Sequence, residues 1–176
     1  MTDQPVEIAE YDERWPGLFD AEAALLRAVI GTFITDGIHH IGSTSVPGLA
    51  AKPVIDIMAG VEDLEQSRRC IELVAPLNYL YAPYKADVEH WFCKPDPGFR
   101  THHLHLVPTG SARFRETLAF RDHLREDDAV AAEYAALKRD LAARHGRDRD
   151  AYTGAKGDFV AEVLARAPRH GPARPS

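Results

Sequence analysis

The spacing of apolar and polar positions divides the chain into a mixed strand-and-helix half followed by a helical half. An extended lead-in over Glu7–Trp15 gives way at Pro16 to a helix ending near Gly31, with Leu18, Glu22, Leu25, Leu26 and Val29 on one stripe. Gly37–Ile41 reads as a short strand, and Gly42–Lys52 as a loop rich in Gly, Ser, Thr and Pro. Pro53–Val61 is apolar on nearly every position, the pattern of a strand buried on both faces. One helix is expected from Asp63 to Ala75, with Leu64, Cys70, Ile71 and Val74 inward. Asn78–Ala82, Glu89–Cys93 and Thr101–Val107 carry aromatic and β-branched residues between Pro, Gly and Asp, and read as strands. Three helices complete the pattern. One spans Ser111–Arg125, a second carries Val130, Tyr134, Leu137 and Leu141, and a third starts near Asp150 and carries Phe159, Val160, Val163 and Leu164. This order implies an α+β fold.

At 176 residues the chain suits one domain, expected over 1–167, with a Pro- and Arg-rich tail over 168–176 expected to be disordered. A hydrophobic share of 45% and a charged share of 27% are ordinary for a globular protein. The formal charge of −6 argues against long nucleic acid as a partner. That charge is uneven: 1–88 hold 6 Lys and Arg against 14 Asp and Glu, whereas 89–176 hold 15 against 13. A cleft between the halves can therefore be locally positive, which suits a small phosphorylated ligand. Cys70 and Cys93 have no CxxC spacing and read as reduced, buried thiols. An acidic, polar start and the lack of a bilayer-length apolar run lead to the expectation of a cytoplasmic protein without membrane contact.

The segment from Ile41 to Ile57 holds the most chemistry. A loop of small residues leaves a strand, so its N–H groups and the hydroxyls of Ser43, Thr44 and Ser45 can cradle an anion, with Lys52 adding charge. It is no Walker A loop, since no Gly-Lys-Ser/Thr follows its glycines. Asp56 lies inside an otherwise apolar strand, where a carboxylate costs several kcal/mol unless it is paired, hydrogen-bonded or metal-bound. Alternation puts Val54, Asp56 and Met58 on one face.

Gly42-Ser43-Thr44-Ser45-Val46-Pro47-Gly48-Leu49, then Lys52-Pro53 and Ile55-Asp56-Ile57, resembles the signature of the GrpB family. The likeness continues through Thr101–Val107, Phe120–Arg125, Tyr134, Leu137-Lys138, Tyr152 and Lys156, so it covers nearly the whole chain. That family is similar to the nucleotidyltransferase superfamily, and its members occur alone or fused to dephospho-coenzyme A kinase. The resemblance implies a nucleotidyltransferase-like fold: a small mixed sheet followed by a helical C-terminal half. It also implies a Gly-Ser followed about a dozen residues later by Asp-x-Asp/Glu. Gly42-Ser43 and Asp56 match, but Met58 stands where the second acid belongs. A lone Asp56 holds one Mg²⁺ together with phosphates and water, rather than two. Glu89 is the expected carboxylate for the space beside Met58.

On the 101–107 strand, Thr101, His103 and His105 share the face opposite Leu104 and Leu106; the resemblance implies that this polar face shares the cleft with Asp56. His103 and His105 then qualify as general base, phosphate donor or metal ligands, or as hydrogen-bonded structural residues. Zinc or manganese on these histidines and Asp56 is the less favoured metal assignment, since His-x-His alone leaves a site incomplete. Arg121 and Arg125 share a helix face, as do Tyr134 with Lys138 and Tyr152 with Lys156, and Arg100 precedes the histidine strand. Arg100, Arg121, Arg125, Tyr134, Lys138 and Lys156 are the expected grip on a phosphorylated ligand, against the plainer alternative of ion pairs on solvated faces.

Three functions are consistent with these residues. The first is an enzyme that binds an NTP or related phosphorylated molecule with Mg²⁺ at Asp56 and moves a nucleotidyl or phosphoryl group to a small acceptor. Gly42, Ser43, Thr44, Ser45 and Lys52 would hold phosphates, while His103 or His105 assists proton transfer. The second is a non-catalytic nucleotide- or phosphate-binding accessory module. The third is a single-metal hydrolase or lyase on His103, His105 and Asp56. The oligomeric state stays open, a homodimer included.

Overall fold

A computed structural model describes residues 6–145 and 148–166, so the tail expected over 168–176 lies outside the described residues. Five strands form one mixed sheet: β1 (Ile34–Ile41), β2 (Ile55–Val61), β3 (Leu80–Tyr81), β4 (His90–Pro95) and β5 (Arg100–Pro108), in the order β1-β2-β5-β4-β3. β2 and β5 run parallel at the centre, and every other pairing is antiparallel. The helices are α1 (Trp15–Ile30), α2 (Leu64–Ser67), α3 (Cys70–Val74), α4 (Ala112–Glu126), α5 (Asp128–His145), α6 (Arg149–Ala155) and α7 (Gly157–Arg166). This is the mixed sheet followed by helices that the pattern implied.

Period-two alternation gives the two central strands opposite chemistries on their two faces. Ile55, Ile57, Ala59 and Val61 of β2 and Leu104 and Leu106 of β5 pack with Trp15, Leu26, Ile30, Cys70 and Val74 from α1 and α3. The reverse face carries Met58 and Val107, covered by Ile41 and by Phe114 of α4. Beyond it, Val46 and Leu49 of the Gly42–Lys52 loop pack with Leu124, Tyr134 and Ala135 from α4 and α5. The loop is thus clamped between the sheet and the helical half.

Three expected elements come out differently. The stripe on α1 is rotated: Trp15, Glu22, Ala23, Leu26 and Ile30 are buried, while Leu18 and Leu25 are about half exposed. Glu22 turns inward because Lys94 Nζ donates to both of its oxygens, at 2.7 and 2.8 Å. The helix expected over 63–75 is broken into α2 and α3. Asp63 caps α2 by accepting from Gln66 N–H, but the Ser67 hydroxyl donates to the Asp63 carbonyl and competes with the ladder there. The last expected helix is likewise two, α6 and α7, meeting at Lys156.

Candidate functional site

The site begins with a close approach between backbone and carboxylate. Gly42 ends β1 at φ 69° and ψ −177°, a region open essentially to glycine alone. A Cβ there would lie 2.4 Å from Asp56 Oδ2 and 2.9 Å from Asp56 Cβ. The glycine therefore does two things at once: it turns the chain into the 3-10 turn Ser43–Ser45, and it lets that turn sit directly against the acid. Ile41 is the antiparallel partner of Asp56, so the end of β1 delivers the loop to the acid by sheet register.

Parallel pairing of β2 with β5 sets Asp56 opposite His103 and Met58 opposite His105. His103 Nδ1 lies 2.8 Å from Asp56 Oδ1, and His105 Nδ1 lies 3.0 Å from Glu89 Oε2. Burial pushes the Asp56 carboxyl up, but the His103 hydrogen bond and the nearby positive groups outweigh it and hold it below its ordinary value. Glu89 is buried at 1% side-chain exposure. Desolvation raises it too, yet the His105 hydrogen bond and then Arg113 bring it down to about 2. Both acids are thus ionised acceptors, and each imidazole must donate its Nδ1–H. Burial also lowers the His103 pKa, against the pull of Asp56, so its Nε2 carries a lone pair at neutral pH. That Nε2 is buried with no hydrogen-bond partner among the described residues. One ligand atom each from Asp56, His103 and His105 lie within 4.8 Å of one another.

The expected phosphate loop is more committed than its composition implies. The Thr44 hydroxyl donates to the Val54 carbonyl and accepts from His40 Nε2, and the Ser45 hydroxyl donates to the Gly42 carbonyl. The Ser45 and Val46 amides are used inside the turn. The Ser43 hydroxyl meets Tyr134, and the amides of Ser43 and Thr44 open the turn. His40 is stacked on Phe19 at 4.8 Å, and burial drops its pKa to about 4. It is a neutral strut beneath the loop.

The expected cations divide into two groups. Arg125 donates Nε and Nη2 to the Ser45 carbonyl at 3.0 and 2.8 Å, and Arg121 donates to the His40 carbonyl at 3.2 Å and pairs with Asp122. Lys138 is buried and donates to the Ala50 carbonyl, and desolvation brings its pKa down to about 7. These three brace the loop from the helical side. Lys156 is different. It sits 4.4 Å over the Tyr152 ring, burial lowers its pKa, and the Asp56 charge acts against that. Burial raises Tyr134, whose neighbours are Tyr152, Asp56 and Ser43. Lys52 acts electrostatically on His103. Tyr134 and Lys156 therefore lie within electrostatic range of Asp56, and Lys52 within range of His103. Arg100 reaches the same face at its rim: a bulge opposite Lys94 and Pro95 turns it, and its guanidinium lies 5.3 Å over Trp91, whose ring is 5.0 Å from His103.

Two residues were not singled out by the sequence. Arg113 Nε lies 3.4 Å from Glu89 Oε2, and the Trp91 ring contacts that of His103. Glu89 does reach the neighbourhood of Met58, as a partner of His105. Lys94 pairs with Glu22 on the other side of the sheet's end, at 2.7 Å, and is thereby committed. Among the described residues no helix is long and apolar enough to cross a membrane.

Comparison with known proteins places these features in a family. The family model described as GrpB protein matches residues 5–166. The protein BH1888 of Halalkalibacterium halodurans is 37% identical over 164 residues, covering 92% of this chain and 82% of that one. YqkA of Bacillus subtilis is 35% identical over 164 residues, covering 93% of this chain, which spans only 48% of YqkA. The crystal structure of conserved protein GrpB from Enterococcus faecalis superposes with a TM-score of 0.82 at 33% identity, covering 92% of this chain and 96% of that one. A dephospho-CoA kinase of Mycolicibacterium paratuberculosis is 27% identical over 189 residues, covering 93% of this chain and 46% of that longer protein, which accords with the fusion implied by the resemblance. The chain, with its Gly42–Asp56 contact and its histidine strand, belongs to the GrpB family.

Proposed function

We propose that this GrpB chain binds a nucleoside triphosphate or a related small phosphorylated molecule, and transfers a nucleotidyl or phosphoryl group from it to a small acceptor. The observation that carries this reading is the fused unit of loop and acid. Gly42 brings the first amides of a 3-10 turn and the Ser43 hydroxyl against an ionised carboxylate, with Lys52, Lys156 and Tyr134 around them. Amides at the start of such a turn and half-buried cations favour phosphate oxygens. The carboxylate beside them favours a divalent cation that bridges to those oxygens.

A Mg²⁺ brought by a nucleotide would take one oxygen from Asp56, whose side chain keeps 29% exposure, and complete its shell with phosphate and water. Such an ion polarises the phosphoryl group and neutralises charge that develops on it. His103 shares a hydrogen bond with Asp56, so it is placed to hold or pass a proton at Nδ1. The single acid disfavours a two-Mg²⁺ arrangement, since Met58 is buried among Ile41, Val107 and Phe114.

Thermal shift with an NTP panel, with and without Mg²⁺, tests binding. Stabilisation by at least one nucleotide, lost in Asp56→Asn, is expected. No shift with any nucleotide overturns the proposal. Pyrophosphate or phosphate release that disappears in Asp56→Asn supports transfer, whereas binding without turnover across an acceptor panel leaves the accessory-module reading in its place.

A further inference from the structure

We infer that Trp91 and Arg100 form a stacking platform for the nucleobase of the bound nucleotide. This rests on the reading of the Gly42–Ser45 turn as a phosphate site, and assigns a place to the uncharged end of the same ligand.

An indole is a large, mostly apolar side chain that gains much from burial. The chain holds two, at positions 15 and 91. Trp15 is 4% exposed and belongs to the main core. Trp91 is only half-buried, and it joins none of the apolar clusters among the described residues. β4 sets it on the sheet face that carries the site: Trp91 is the register partner of His105, and Cys93, the next residue on that face, is the partner of His103. The Trp91 ring lies 5.0 Å from the His103 ring, and His103 is bonded to Asp56 at 2.8 Å. A single imidazole therefore separates the indole from the carboxylate.

Arg100 completes the surface. The bulge opposite Lys94 and Pro95 turns it onto the same face, where its guanidinium lies 5.3 Å over the Trp91 ring. Its Nε donates to the Pro97 carbonyl at 2.8 Å, and no carboxylate pairs with it among the described residues. The guanidinium is thus anchored by a ring and a carbonyl while its charge stays uncompensated. A guanidinium is planar, delocalised and weakly hydrated, so it stacks on aromatic faces much as an indole does.

Indole and guanidinium together offer a π surface with a positive charge. An aliphatic phosphate ester would use the charge alone, whereas an aromatic heterocycle that carries phosphates uses both. In a nucleotide the sugar separates phosphates from base, as His103 separates Asp56 from Trp91. Base–aromatic stacking is tolerant of base identity, because every base has a π face. The platform therefore adds affinity for a base with little discrimination among bases.

The test is calorimetry of the full chain with the Mg²⁺ complexes of ATP, GTP, CTP and UTP and, as the base-free probe, of tripolyphosphate. Fluorescence follows the indole, since Trp15→Phe leaves Trp91 as the sole tryptophan. At least one NTP is expected to bind 10-fold or more tightly than tripolyphosphate, and to quench Trp91 where tripolyphosphate does not. Trp91→Ala should weaken that NTP about 10–100-fold and tripolyphosphate less than about 2-fold. Trp91→Phe should retain most of the affinity. Arg100→Ala should weaken the NTP at least 3-fold more than tripolyphosphate; an equal loss would make Arg100 a phosphate ligand and overturn its place in the platform. Circular dichroism confirms folding. Trp91→Leu, which keeps bulk without an aromatic face, serves if Trp91→Ala does not fold, and its difference from wild type gives the Trp91 signal if Trp15→Phe does not. Equal binding of every NTP and tripolyphosphate overturns this inference alone, as does a Trp91→Ala variant that affects both probes alike or neither. Binding of neither probe overturns the proposed function, and the platform with it.

Discussion

Gly42→Ala perturbs the contact on which the site is built. The backbone at φ 69° and ψ −177° costs a non-glycine residue about 1–3 kcal/mol on its own. The new Cβ also meets Asp56 Oδ2 at 2.4 Å, Cβ at 2.9 Å and Cγ at 3.0 Å, so the acid must move. Moving it breaks the 2.8 Å bond to His103, a hydrogen bond to a charged group, worth about 1.5–3 kcal/mol. Together these predict a loss of about 2.5–6 kcal/mol in urea unfolding. Gly48→Ala is the matched control. It has φ 75° and open space where its Cβ would go, so its cost should be confined to the backbone, about 1–2 kcal/mol. Asp56→Ala removes the two atoms Oδ2 and Cγ from the clash, and the double variant should recover at least 1 kcal/mol of the Gly42→Ala loss. Equal costs at positions 42 and 48, or strict additivity of Gly42→Ala with Asp56→Ala, would refute the reasoning.

Two further perturbations address the helical side. Lys138 releases its proton near pH 7 when folded and near 10.5 when unfolded, so the unfolded chain binds more protons between these values and stability rises with pH across that window. Wild type should gain about 2 kcal/mol on Lys138→Met between pH 7 and 9, read from urea midpoints at both values; parallel pH profiles would show that Lys138 stays charged. Arg125→Met removes two donors from the Ser45 carbonyl and should cost about 1–2 kcal/mol, with faster amide exchange over Ser43–Val46. Unchanged exchange in that turn would mean the loop does not depend on this brace.

The strands were readable because each central one carries its own signal. Alternation alone put His103 on the polar face of β5, and Asp56 stood out as the one charge in an apolar β2. What alternation does not contain is the partner: Asp56 and His103 are 47 residues apart and meet only because β5 inserts between β2 and β4. Glu89 and His105 meet through the β4–β5 pairing in the same way. The stripe on α1 held for Glu22 and Leu26 but not for Leu18 and Leu25, which are half exposed, and the ion pair that lets Glu22 be buried is made with Lys94, 72 residues on. Among the cations, four-residue spacing correctly put Arg121 and Arg125 on one helix face. It carries no information on the acceptor, because a phosphate oxygen and a main-chain carbonyl make the same demand on a guanidinium. In the fold both arginines, and Lys138, meet carbonyls.

The Gly42–Ser45 turn and Asp56 are proposed here as one phosphate-and-cation site. Its most direct test is a crystal structure with a non-hydrolysable nucleoside triphosphate and Mn²⁺, with the ion located by anomalous scattering. The predicted result is an anomalous peak at bonding distance, about 2.2 Å, from an Asp56 oxygen, with phosphate oxygens on the turn amides and the Ser43 hydroxyl. Nucleotide bound away from this turn, or a peak remote from Asp56, would contradict it.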